Sequence, residues 1–167
     1  MNLRRRLAQP LLALTLLCSV AQAPAQDLPK AAVDEARKAS TVPEIASAVS
    51  RKYGARVTRV SLTPRNPALG WGDAWEQQVL MDFEQRVAKG EAADGMEHAA
   101  VVNEPAGRFL RCMRVLPMQA PCMHCHGPVE QISESVRSQL AHDCPHDRAA
   151  GLTLGKVRGS VTYKKPL

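Results

Sequence analysis

What the sequence leaves out narrows it first. Beyond its opening 25 residues it has no apolar run long enough to cross a bilayer as a helix. It has no internal repeat, no low-complexity tract, no Ser/His/Asp set, no paired-carboxylate site and no glycine-rich phosphate loop. Repeat architectures are thereby set aside, and the usual sequence grounds for hydrolysis or phosphoryl transfer are missing. No acidic residue precedes Asp27, and no cysteine stands between Cys18 and Cys112.

The acid-free opening has the order of a secretory leader. Arg4, Arg5 and Arg6 form a positive region, Leu11 to Val20 a short apolar one, and Ala21, Ala23 and Ala25 supply small residues for cleavage. Pro24 disfavours a cut after Ala23, so the expected leader is residues 1–25 and the expected single domain is 26–167. Cys18 is preceded by Leu17, where lipoprotein processing wants a small residue. Removing the leader takes three arginines and no acid, which lowers the formal balance from +6 to +3. So small an excess gives no ground for a nucleic-acid partner. The expected location is the periplasm, with no membrane span in the mature chain, and there cysteines are read as oxidisable.

Hydrophobic periodicity predicts a helix over 30–53, interrupted at Pro43 with a restart through Thr41 and Glu44, and then a strand over 56–62. A Pro- and Gly-rich loop, 64–72, leads to a helix capped by Asp73 that carries Trp75, Val79, Phe83 and Val87. Strands at 96–102 and 108–115, a helix over 129–141 and a last strand at 156–164 complete an α+β reading with a small antiparallel sheet.

The chemistry concentrates in Cys122-Met123-His124-Cys125-His126. Two thiols three positions apart can each add to one vinyl group of a haem, and the adjacent His126 can then bind the iron as proximal ligand. This predicts one covalent haem c per chain. Two other chemistries compete. Cys122 and Cys125 could be half a zinc site completed by Cys144 with His146 or His142, or the redox pair of a thioredoxin-like protein. Arg65 and Arg158 are candidates for pairing with haem propionates, since a guanidinium matches a carboxylate with two parallel hydrogen bonds. For the second axial position the candidates are Met96, His98, Met113, Met118, His124, His142 and His146. The expected work is electron transfer with a redox partner protein. The alternative is redox or gas sensing with a signalling partner, and this reading normally calls for an output domain, which the sequence up to Leu167 does not show. An enzyme, such as a haem peroxidase, is expected only with an open iron site and a distal acid–base group.

Other pieces have a familiar order: Arg59-Val60-Ser61-Leu62, Arg65-Asn66-Pro67, Ala74-Trp75-Glu76, Phe83-Glu84, His126-Gly127, Pro145-His146-Asp147-Arg148-Ala149 and Gly155-Lys156-Val157-Arg158-Gly159. Together they resemble the c-haem-binding, PAS-like domain family, found as small periplasmic cytochromes and as sensor modules. The resemblance implies a PAS-like sheet flanked by helices around one covalent haem. Some members of that family offer a first-helix cysteine as second ligand, and here Lys38 takes its place. Cys112 and Cys144 stand where the family pattern shows tyrosines, which suggests that they meet as a disulfide.

Overall fold

The computed structural model describes residues 43–167. The expected leader, the first part of the 30–53 helix and Lys38 lie outside the described residues. In chain order the elements are α1 (Pro43–Tyr53), β1 (Arg56–Val60), α2 (Pro67–Gly70), α3 (Ala74–Ala88), β2 (Glu97–Glu104), β3 (Gly107–Pro117), α4 (Met123–His126), α5 (Glu134–Asp143) and β4 (Val157–Pro166). Single 3₁₀ turns occupy Ala120–Cys122 and Val129–Gln131. The strands form one antiparallel sheet in the order β1-β4-β3-β2.

Local chemistry accounts for most boundaries. Pro43 begins α1, where a missing N–H costs nothing, and Gly54 ends it with φ at +58°. The expected cap of α3 is a full capping box. Glu76 N–H donates to Asp73 Oδ1 at 3.0 Å, and Asp73 N–H donates back to Glu76 Oε2 at 2.9 Å. The 64–72 loop contains the single-turn α2, capped by Asn66, whose side chain accepts from Ala68 N–H at 3.0 Å.

One predicted helix starts late. Val129, Ile132, Val136 and Leu140 share helical spacing, yet α5 begins only at Glu134. Ile132 adopts an extended backbone and is buried, while Ser133 caps by accepting from Val136 N–H. The serine's competing hydrogen bond and the burial of Ile132 outweigh the periodicity.

Alternation along β3 splits the core between the two faces of the sheet. Cys112 and Leu116 join Val57, Val161 and Tyr163 beneath Val49 and Ala55 at the α1 end. Met113 and Val115 join Val60 and Val157 beneath Val79, Leu80 and Phe83 of α3, with Ala93 and Met96. The α3 face also buries charge. Arg111 pairs with Asp73 at 2.6 Å, Glu104 at 3.0 Å and Glu76 at 3.1 Å, and its guanidinium lies 4.4 Å from the centre of the Trp75 ring. Glu76, fully buried, also accepts from Arg56 at 2.5 Å and from the Thr162 hydroxyl at 2.8 Å. Burial works against ionisation of Asp73, but the Arg111 hydrogen bond and charge hold its carboxyl below the usual range.

Candidate functional site

β3 delivers the chain to Met118, which the backbone clamps against the start of β4. Met118 N–H donates to Lys156 O at 2.8 Å, and Gly155 N–H donates to Met118 O at 3.0 Å. The 3₁₀ turn and α4 then wind Cys122 to His126 into little more than one helical turn, which brings residues three apart to one side. Cys122 and Cys125 are half-buried free thiols, and His126 is buried. Gly127 closes the turn, and a Cβ there would stand 2.6 Å from the Met123 carbonyl oxygen. The loop before β4 pins this turn. Leu152 N–H donates to His126 O at 2.9 Å and Gly151 N–H to Gly127 O at 2.8 Å.

The histidine ring is held in one orientation. Its Nδ1 lies 2.7 Å from the Ala149 carbonyl oxygen and 3.2 Å from the Arg65 guanidinium. A carbonyl can only accept and a guanidinium can only donate, so the two contacts demand opposite tautomers. The shorter contact, with Nδ1–H donating to Ala149, leaves Nε2 with a free lone pair. Arg65 donates instead to Cys125 O at 2.5 Å and pairs through Nε with Asp147 at 3.0 Å. Burial first, and then the Arg158 charge, lower the pKa of His126 to about 4, so the ring is neutral near pH 7.

Two more arginines surround the thiols. Burial, then repulsion by Arg158, lowers the pKa of Arg59 to about 10 against an opposing influence of Cys122. Burial also lowers that of Arg158, with Cys122 and Cys125 raising it. The Arg158 Nε is buried and has no hydrogen-bond partner among the described residues. A half-buried arginine with an unpartnered Nε, near two thiols and a lone-pair imidazole, is a set that fits a haem with its propionate carboxylates.

The second-ligand candidates are scattered. Met96 and Met113 belong to the α3-face core. Arg59, opposite Val161, lies on the other face. His98 packs against the Trp75 ring at 5.6 Å, and Met118 is buried four residues before Cys122. His124 donates through Nδ1 to Pro121 O at 3.1 Å, and the exposed His142 pairs with Asp143. His146 lines an open cleft of about 390 Å³ with Pro67, Trp71, Asp147 and Arg148. Sequence reasoning missed Arg59 and the Asp147–Ala149 pair as parts of the site. Their one legible signal was membership in the quoted family pieces.

Three expectations need correction. Cys112 and Cys144 are free thiols, not a disulfide. Cys112 points into the α1-face core as a small apolar side chain, whereas Cys144 caps the end of α5. Zinc finds no cluster, because among the described residues no three His, Cys, Asp or Glu side chains gather as a metal site. The thioredoxin-like reading wants a βαβ unit, and every described strand pair is antiparallel. Burial, then the charge of Glu97, pushes the Cys112 thiol up to about 11. Alkylation of the native protein at pH 8, followed by peptide mass analysis, is therefore expected to modify Cys144 and leave Cys112 untouched until the chain is unfolded.

Fold and site together define a small α+β protein that presents a Cys-x-x-Cys-His turn beyond the third strand of an antiparallel sheet. Residues 5–166 match the Tll0287-like family, and the chain belongs to it. The crystal structure of the cyanobacterial heme-protein Tll0287 is similar to it, with a TM-score of 0.58 at 24% identity over 74% of this chain and 68% of that one. At that identity the likeness speaks for the fold. Comparison with curated proteins gave no match.

Proposed function

We propose that the chain is an exported c-type cytochrome with one covalent haem and that it transfers electrons. The observation that carries this reading is the Nδ1–H bond from His126 to Ala149 O, which leaves Nε2 free on the same turn as two unpaired thiols. Cys122 and Cys125 would hold the haem through thioethers, and His126 would take one side of the iron. Arg158, with Arg59 beside it, offers cationic hydrogen bonds to propionates. Arg65, expected in that role, is engaged by Asp147 and Cys125 O instead.

Bound haem supplies one-electron chemistry; the chain supplies a neutral, desolvated and immobilised ligand. A ligand braced by Ala149 and pinned through Leu152 has little room to reorganise, which suits exchange of electrons better than chemistry on a bound molecule. A PAS-like description, a periplasmic location after cleavage at Ala25, and a redox partner protein belong to the same proposal. The likeness to a cyanobacterial heme-protein supports it. No helix among the described residues is long and apolar enough to cross a membrane.

The test is a spectrum of the protein purified from the periplasm, with extraction by acid–acetone. Haem that stays with the polypeptide is expected, and haem that extracts fully would sink the proposal. Failure of the ferrous protein to bind carbon monoxide is expected of a carrier with a firm second ligand. Rapid binding would move the assignment to sensing.

A further inference from the structure

We propose that Asp147 is the positioning residue for His126, deciding through its two carboxylate oxygens which ring nitrogen carries the proton. This rests on the haem reading above. It concerns a residue outside the attachment run, separated from Arg65 by 82 positions in sequence.

The two oxygens do different work. Oδ1 accepts from Ala149 N–H at 2.7 Å, which holds Ala149 in a tight turn. The carbonyl of that same residue accepts from His126 Nδ1–H at 2.7 Å. Oδ2 accepts from Arg65 Nε at 3.0 Å, which keeps the guanidinium turned so that its terminal nitrogen donates to Cys125 O at 2.5 Å. The turn is anchored on either side, by Asp147 N–H to Cys144 O at 2.9 Å and Arg148 N–H to Pro64 O at 3.2 Å. The Asp147 side chain is 14% exposed, so these bonds meet little competition from water.

One acceptor and one donor compete for one nitrogen. Ala149 O selects the ring with its proton on Nδ1, the form that leaves Nε2 available. Arg65, whose terminal nitrogen is already 3.2 Å from Nδ1, would select the opposite form if it were free to donate there. Asp147 settles the contest from both directions, because it fixes the acceptor and restrains the rival donor. Outer partners of this kind orient a ligating imidazole and raise its basicity.

The experiment compares wild type with Asp147→Asn, Asp147→Ala and the double variant Asp147→Ala/Arg65→Gln. Ring ¹⁵N shifts of His126 are read at one pH near 7.5 on the full chain made in the cytoplasm, without haem attachment. Wild type is expected with the proton on Nδ1. Asp147→Ala is expected to gain a substantial population with the proton on Nε2. Asp147→Asn, which keeps an oxygen for Ala149 N–H, is expected in between, and the double variant returns towards wild type because the rival donor is gone. Equal tautomer populations in wild type and both single variants would overturn the proposal, as would a wild type protonated on Nε2. The near-isosteric asparagine keeps the test decisive if the alanine variant does not fold. In the haem-loaded proteins the midpoint potential is expected to rise from wild type to Asp147→Ala, and an unchanged potential would deny Asp147 any influence on the iron. A wild type that takes up no haem would refute the cytochrome reading while the ring shifts still decide this one.

Discussion

Glu76→Ala is expected to lower the unfolding free energy by about 3–5 kcal/mol, the range for removing one partner of a buried charged network. Its carboxylate accepts from Arg56, Arg111, the Thr162 hydroxyl and the Asp73 N–H. The substitution therefore leaves a buried hydroxyl and the Asp73 N–H without an acceptor, and it leaves Arg111, 2% exposed, short of one counter-charge. The loss comes from stranding those groups; a network replaced as a whole by well-packed apolar residues need not be less stable. Glu76→Gln keeps the shape and one acceptor oxygen, and Asp73 and Glu104 still face Arg111, so its loss is expected to be smaller. Guanidinium chloride denaturation followed by tryptophan fluorescence measures both, with Trp75 against Arg111 as the reporter. In thermal terms the alanine variant is expected to melt roughly 10 °C or more below wild type. Glu134→Ala, which breaks an exposed pair with Arg137 and an exposed bond from the Ser138 hydroxyl, is expected to change nothing measurable. A Glu76→Ala protein as stable as wild type would show that the network on the α3 face does not hold the sheet to the helix.

The double variant Cys122→Ala/Cys125→Ala is expected to lose all acid–acetone-resistant haem. Each single variant is expected to retain haem on one thioether. Both thiols are half-buried on one turn, and in the proposed attachment each would add to a different vinyl group. The alkaline pyridine complex of each single variant is expected to show its long-wavelength band displaced towards that of haem with one free vinyl. Cys144→Ala, altered at the far end of α5, is expected to leave that band where it is in wild type. Covalent haem surviving in the double variant would move the attachment away from this run altogether.

What could be read in advance was what is local in sequence. Asp73 stands at the start of an apolar helical stripe, so its cap of α3 was legible. The Cys-x-x-Cys-His run was legible as a motif for the same reason, since its residues are contiguous. Arg65 was legible as a site residue, but its partners in the protein were not. Its partners, Cys125 O and Asp147, come from two segments far along the chain that only the folded loops bring together. Arg59 looked like any strand arginine, because the face it occupies depends on its register with Val161. The pairing inferred for Cys112 and Cys144 failed at the same step. Strand alternation turned Cys112 into the core beneath α1, and nothing in the residue types marks which face that is.

The strand order β1-β4-β3-β2 sets a timetable for synthesis. β4 is the last of these strands to leave the ribosome, yet it is an inner one, paired with both β1 and β3. Until residues 157–166 emerge, a nascent chain can form the β2–β3 hairpin and its helices, but β1 has no neighbour to join. Completion of the sheet thus waits for β4, and its decisive contacts are among the most distant in sequence, a topology that makes for a slow final step.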